Sequence, residues 1–169
     1  MRKTTILIFV TSLILVSCSD NRTSQTGNNA ENVQDNPVKI DKIINIADIS
    51  NKSIKEVNKL LGKPNNIGKA KPSGTPCKTN PCDKAYYKDG KFEIIFINKV
   101  ADWITINDIS SLPMNEDLIT SLGLPKTAPS FSNPSDVIKW TNIKGFEEIS
   151  FFNNGSDKVD YIYIKTNTR

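Results

Sequence analysis

The side chains best suited to chemistry in this sequence are its three cysteines, Cys18, Cys77 and Cys82. The 169-residue chain contains no histidine, which excludes Ser-His and Cys-His catalysis, imidazole acid–base chemistry and histidine-ligated metals. Three cysteines are too few for a four-thiolate zinc site. The carboxylates have no recognisable catalytic or metal-ligand spacing, and no Gly-rich phosphate loop, nucleophile elbow or calcium loop is present. The sequence therefore predicts no catalytic residue, no metal ligand and no enzymatic activity.

The first cysteine follows a segment typical of secretory signal peptides. Arg2 and Lys3 precede an apolar run over residues 6–16, which is shorter than the roughly 20 residues that a transmembrane helix needs. The ending Leu-Val-Ser-Cys at residues 15–18 resembles the lipobox of bacterial lipoproteins. The alternative is an ordinary secretory peptide with an incidental cysteine.

The lipobox resemblance implies that residues 1–17 are removed, that the Cys18 thiol carries a diacylglycerol and that its new amine is often acylated, with chains such as palmitate. This covalent lipid on Cys18 is the only cofactor expected. Several acyl chains hold a protein stably at a membrane. The implied location is the bacterial cell envelope. Ser19 after the cysteine resembles the pattern for sorting to the outer membrane, which would leave the protein facing the periplasm.

Residues 18–36 are predicted to form a flexible tether that carries the lipid. Ala30 and Val33 are its only aliphatic residues after the cysteine, so the segment cannot bury enough apolar area to offset the entropy of ordering it. A coil of this length spans roughly 25 Å. The alternative is that part of the segment packs on the folded domain.

Residues 37–169 are predicted to form one α+β domain built from two tandem repeats, at about 43–107 and 112–166. Each repeat contains a short helix followed by three antiparallel strands, and each is marginal in size, so we expect the two to pack jointly. The strand signals lie at residues 85–87, 92–97 and 102–106 in the first repeat and at 137–140, 146–153 and 160–164 in the second.

Helix signals support this division. Ser53 and Glu56 have the spacing of a capping box, and Gly62 suits the position just after a helix. The second helix is predicted to begin at residues 115–117, with acidic residues in its first turn. Leu-Gly-Lys-Pro at the end of the first helix recurs as Leu-Gly-Leu-Pro at residues 122–125.

A short helix ending in Leu-Gly-x-Pro, followed by an aromatic strand, an apolar strand and a final strand, resembles the SmpA/OmlA barrel-assembly lipoproteins. It is also similar to the beta-lactamase-inhibitor-protein fold, which is two such units in tandem. The resemblance covers residues 43–166, and its most specific part is Glu56-Val57 before residues 60–64. It implies non-catalytic protein binding and identifies no particular partner.

Alternation along the strands predicts one sheet face packed against the helices and one aromatic face. We expect the aromatic face to bind a protein partner, because exposed aromatic patches often mark interfaces. The expected contact residues are Ile95, Ile97, Trp103, Phe152, Tyr161 and Tyr163. The alternatives are that these side chains form cross-strand pairs, or that a loop or residues 37–49 cover them.

Cys77 and Cys82 are expected to form a disulfide, because an exported chain meets an oxidising compartment. The bridge would brace the Pro- and Gly-rich loop at residues 71–76. The alternative is a redox-active pair, which the C-x4-C spacing does not favour.

Loss of the signal peptide lowers the formal net charge from +4 to +2, and together with export this argues against nucleic-acid binding. Lysines are concentrated in residues 52–84, where Glu56 and Asp83 are the only acids. The favoured interpretation is a solvated lysine-rich helix face. The alternative is contact with anionic headgroups or an acidic partner.

These observations predict an exported, membrane-anchored lipoprotein with a module that binds an unidentified protein, as an inhibitor, assembly subunit or protective factor. One alternative is a structural envelope lipoprotein without a discrete ligand. Another is a histidine-free carboxylate hydrolase of the cell envelope.

Overall fold

A computed structural model describes residues 40–70, 77 and 81–167, all within the compact unit Val38–Arg169. The expected signal peptide, Cys18 and the tether through residue 36 lie outside the described residues, and so does the loop at 71–76.

The described residues form one α-helix, two 3₁₀ helices and eight strands. The helices are η1 (Ile46–Asp48), α1 (Ile54–Leu61) and η2 (Glu116–Leu122). The strands are β1 (Asn66–Ala70), β2 (Cys82–Tyr87), β3 (Phe92–Ile97), β4 (Val100–Ile106), β5 (Phe131–Asn133), β6 (Val137–Ile143), β7 (Phe146–Asn153) and β8 (Val159–Thr166).

All eight strands belong to one antiparallel sheet, in the order β1-β2-β3-β4-β8-β7-β6-β5. The predicted mixed α+β class is confirmed, as a single domain that is mostly sheet. The expectation of six strands was incomplete, because β1 and β5 also pair at the two edges. The sequence lacked a signal for either strand, since β1 contains Gly68 and Lys69 and β5 has three residues, all exposed.

One hydrophobic core lies between the helices and one face of the sheet. Val57 and Leu61 of α1 and Leu118 and Leu122 of η2 are buried in it. The sheet contributes the alternate residues that period-2 patterning predicts to face inward, including Ile94, Phe96, Ile104, Ile106, Ile149, Phe151, Ile162 and Ile164. The helices therefore cover a single face of the sheet, which we call the inner face; the opposite one is the outer face.

The segment that precedes α1 also packs on the inner face. Ile46 and Ile49 are fully buried in the core, and the backbone N–H of Ile43 donates to the carbonyl of Ser121 at 2.8 Å. Gly123 follows η2 with a φ of +74°. A Cβ atom on this residue would lie only 3.0 Å from the side-chain oxygen of Asn45, so the two segments are in close contact there. The described part of this segment, from residue 40, therefore does not cover the outer face.

The capping box of α1 has both of its expected hydrogen bonds. The Glu56 N–H donates to Ser53 Oγ at 3.4 Å, and the Ser53 N–H donates to Glu56 Oε2 at 2.9 Å. Hydrogen bonds from the side chain and backbone of Ser53 lower the pKa of the Glu56 carboxyl below its ordinary value of 4.5, and nearby Lys52 and Lys59 lower it further.

Ser53→Ala should raise the pKa of Glu56, which NMR titration of the carboxyl carbon would measure. Because the folded pKa lies below the unfolded one, the ionised cap stabilises the domain above about pH 4.5 and this stabilisation is lost as pH falls through the folded pKa. The difference in urea midpoint between wild type and Ser53→Ala should thus shrink in acid. Ser110→Ala, at an exposed turn, is the control; a constant difference across this pH range would contradict the prediction.

Candidate functional site

Cross-strand pairing positions the side chains of the outer face. In antiparallel strands, residues directly opposite one another point to the same face. Trp103 lies opposite Lys165, Tyr163 lies between Thr105 and Ser150, and Phe152 lies opposite Tyr161. The expected contact residues of β4, β7 and β8 are therefore on one surface, although they come from distant parts of the sequence.

On the half of the outer face formed by β1–β3, Ile95 is covered and Ile97 is partly buried. Ala70, Cys77 and Ile95 form a small buried cluster separate from the main core, and Ile95 is only 6% exposed. Cys82, Ile97 and Trp103 pack against this cluster.

The Cys77–Cys82 disulfide is present, with the two Cα atoms 5.6 Å apart, and it fixes Cys77 next to the first residue of β2. Cys77 is thereby held over the outer face beside Ile95. One alternative in the sequence analysis was that a loop covers side chains of this face. For Ile95 this alternative is correct, since Cys77 packs on it.

Trp103 joins this covered region to the rest of the outer face. Its ring meets Tyr163 edge to face with centroids 5.3 Å apart, and Lys165 Nζ lies 6.0 Å from the ring centroid. The indole Nε1–H is buried and has no hydrogen-bond acceptor among the described residues. Within that part of the chain, Trp103 is therefore held by packing rather than by hydrogen bonds.

The half of the outer face formed by β5–β8 carries aromatic side chains that remain partly exposed to solvent. Phe152 and Tyr161 stack with centroids 4.6 Å apart and planes 16° from parallel, and both are half-buried, as is Tyr163. Phe131 of β5 lies opposite Lys139 and is 53% exposed. We call Phe131, Phe152, Tyr161 and Tyr163 the aromatic strip. The sequence reasoning missed Phe131, because a lone aromatic residue between Pro129 and Pro134 gives no strand period.

Charged groups around the aromatic strip are paired with one another. Lys139 Nζ lies 3.1 Å from Glu148 Oε1, Lys165 Nζ lies 2.6 Å from Glu147 Oε1, and Ser150 Oγ donates to Glu148 at 2.7 Å. Burial alone would raise the pKa of Glu148, but the hydrogen bonds from Ser150 and Lys139 outweigh it and hold this pKa below its usual value. The strip is therefore an aromatic surface with little uncompensated charge.

The phenol of Tyr163 stays protonated well above neutral pH. Its burial raises the pKa strongly, and the carboxylates of Glu148, Asp102 and Glu147 raise it further. Asp102 is itself buried and accepts a hydrogen bond from Thr166 Oγ1 at 2.9 Å. The Tyr163 ring thus contributes a neutral phenol to the outer face.

Within residues 40–70, 77 and 81–167, no group of three or more His, Cys, Asp or Glu side chains is placed to hold a metal ion. No helix in the described part of the chain is long and apolar enough to cross a membrane.

Comparison with protein-family models gives no match, and comparisons with curated proteins and with solved structures give none either.

Proposed function

We propose that this protein is a lipoprotein of the bacterial cell envelope, anchored through a lipid on Cys18, whose domain binds another protein without catalysing a reaction. The observation that carries the binding function is the aromatic strip. The solvent face of an antiparallel sheet is normally polar, whereas this one presents partly open phenyl and phenol rings between compensated charges. Tyrosine is one of the residue types enriched at the hot spots of protein interfaces.

We also propose that the domain consists of two tandem units, at about residues 43–107 and 112–166. The strand order supports this, because β1 to β4 and β8 to β5 mirror one another about the β4–β8 pair. In that pair, Ile104 lies opposite Ile164 and Ile106 opposite Ile162, the arrangement expected if a two-fold axis passes between Thr105 and Tyr163. Together with the repeated Leu-Gly-x-Pro helix ends, this favours a likeness to the SmpA/OmlA lipoproteins and the beta-lactamase-inhibitor-protein fold.

A crosslinked membrane pull-down tests the binding function. Phe152→Ala with Tyr161→Ala should weaken capture of the partner at least about 30-fold, the effect of losing one interface hot spot or more. The control is Ile67→Ala with Tyr86→Ala, which removes one exposed aliphatic and one half-buried aromatic side chain from β1 and β2, at the opposite end of the sheet. Circular dichroism would verify that both double variants are folded.

Equal capture by the two double variants would contradict binding through the aromatic strip. Failure to capture any stoichiometric partner would instead favour a structural envelope lipoprotein. The anchor is tested in the same cells by metabolic labelling with an alkynyl fatty acid, and the label should be lost in Cys18→Ser.

A further inference from the structure

Four lysines on and beside α1 give this part of the surface a positive charge. Lys55 and Lys59 belong to the helix, Lys52 precedes it and Lys63 follows it; we call these four the basic helix face. In the described part of the chain none of them forms a salt bridge, whereas Lys69, Lys84, Lys126, Lys139 and Lys165 do. The one acid among them, Glu56, is held by Ser53 in the capping box, and its carboxylate offsets one of the four positive charges. The basic helix face therefore carries a net charge of +3.

The helix directs this charge away from the sheet. Val57 and Leu61 are buried in the core, so the 3.6-residue period places Lys55 and Lys59 on the opposite side of α1, where both are exposed. Because α1 covers the inner face, its exposed side and the aromatic strip point in opposite directions. Leu60, next to Lys59, is 46% exposed and adds an apolar group to the charged surface.

The positive charge is local and does not reflect the charge of the whole domain. Lysines and acidic residues are equal in number over the described residues, which contain no arginine. Lysines beside an exposed leucine are the composition of surfaces that bind anionic lipid, where the charges attract the headgroups and the apolar group enters the interface.

We propose that the basic helix face binds the anionic phospholipid headgroups of the membrane that holds the Cys18 anchor, so that the aromatic strip is turned away from the bilayer and toward a protein partner. The proposal rests on the lipid anchor and the binding function proposed above. If the residues between Cys18 and residue 40 form the flexible tether expected from their composition, they would span roughly 25 Å and keep α1 within reach of the same membrane. Charge complementarity then selects the side of the domain that faces the lipid.

Vesicle co-sedimentation tests this orientation without the acyl chains. The chain from residue 18 onward, with Cys18→Ser, should bind vesicles that contain phosphatidylglycerol and should not bind pure phosphatidylcholine. Lys55→Gln, Lys59→Gln and Lys63→Gln together should weaken binding about 100-fold, since each lysine near an anionic surface contributes roughly five-fold. Binding should also be lost in about 1 M salt, where the Debye length is about 3 Å.

The control removes three other exposed lysines that form no salt bridge in the described structure, through Lys88→Gln, Lys144→Gln and Lys158→Gln, so its net charge matches that of the test variant. These lysines lie in the turns after β2 and β6 and just before β8, and binding should fall only slightly. Equal losses in the two triple variants would overturn the proposal, because they would indicate attraction by net charge alone. Binding to polyglutamate but not to anionic vesicles would also overturn it and assign the face to an acidic protein. The vesicle assay requires neither the covalent lipid on Cys18 nor the aromatic strip. A failure to bind vesicles can therefore be distinguished from a failure of the pull-down or of the fatty-acid labelling.

Discussion

Replacing Trp103 with alanine should lower the free energy of unfolding by about 2–3 kcal/mol, less than for a fully buried tryptophan because part of the ring is open. The substitution removes the side chain that packs against the cluster of Ala70, Cys77 and Ile95, and it removes the edge-to-face contact with Tyr163. Urea unfolding followed by far-ultraviolet circular dichroism would measure the loss, since this signal does not depend on tryptophan fluorescence.

Trp103→Phe separates packing from hydrogen bonding at the same position. Phenylalanine keeps much of the buried ring and removes the Nε1–H, which is buried and finds no acceptor in the part of the chain that the structure describes. A buried donor of this kind costs about 1–3 kcal/mol, so removing it should offset the lost area and leave stability within about 1 kcal/mol of wild type. If Trp103→Ala were instead as stable as wild type, Trp103 would be an open contact residue of the outer face and its packing role would be refuted.

Trp140→Ala should have a larger effect, a loss of about 4 kcal/mol. Trp140 is 1% exposed, its ring meets Phe151 with centroids 5.6 Å apart, and its Nε1–H donates to the carbonyl of Thr127 at 2.8 Å. Truncation therefore opens a cavity in the core and leaves the Thr127 carbonyl without this donor. A loss of this size removes a large fraction of the stability of a small domain.

The adjacent residue on β6 provides the control for Trp140. Lys139 points to the outer face, where it is paired with Glu148 and only partly buried, so Lys139→Ala should cost less than about 1 kcal/mol. The urea midpoints of the two variants would then differ widely, although the changes are one residue apart. Similar losses in both would show that the inward and outward assignment along β6 is wrong.

Local patterns explain which parts of the fold could be predicted from the sequence. The capping box of Ser53 and Glu56 depends on residues three positions apart, and strand alternation depends on residues two positions apart. For η2 the sequence predicted a helix but not its 3₁₀ type. There the hydroxyls of Thr120 and Ser121 donate to carbonyls three residues earlier, and these local bonds accompany the tighter helix.

The candidate site was harder to predict because its exposure depends on contacts between distant residues. Alternation assigns Ile95 and Tyr161 to the same face of the sheet. It cannot indicate that Cys77 covers Ile95, whereas Tyr161 stays half-buried. Phe131 escaped prediction for a related reason. In the three-residue strand β5, pairing with β6 decides which face of the sheet each side chain points to. No pattern within β5 itself predicts that pairing.

The two edge strands also bear on how densely copies of this domain could be packed if the proposed lipid anchor holds them on a membrane. An open sheet edge is a template on which another chain can polymerise, and confinement to a surface raises the frequency of encounters between copies. The β5 edge is three residues long and lies between Pro129 and Pro134, and the β1 edge carries Gly68 and Lys69. Short length, proline and lysine all disfavour strand addition. Both edges are therefore protected against fibril formation, and crowded copies should stay separate.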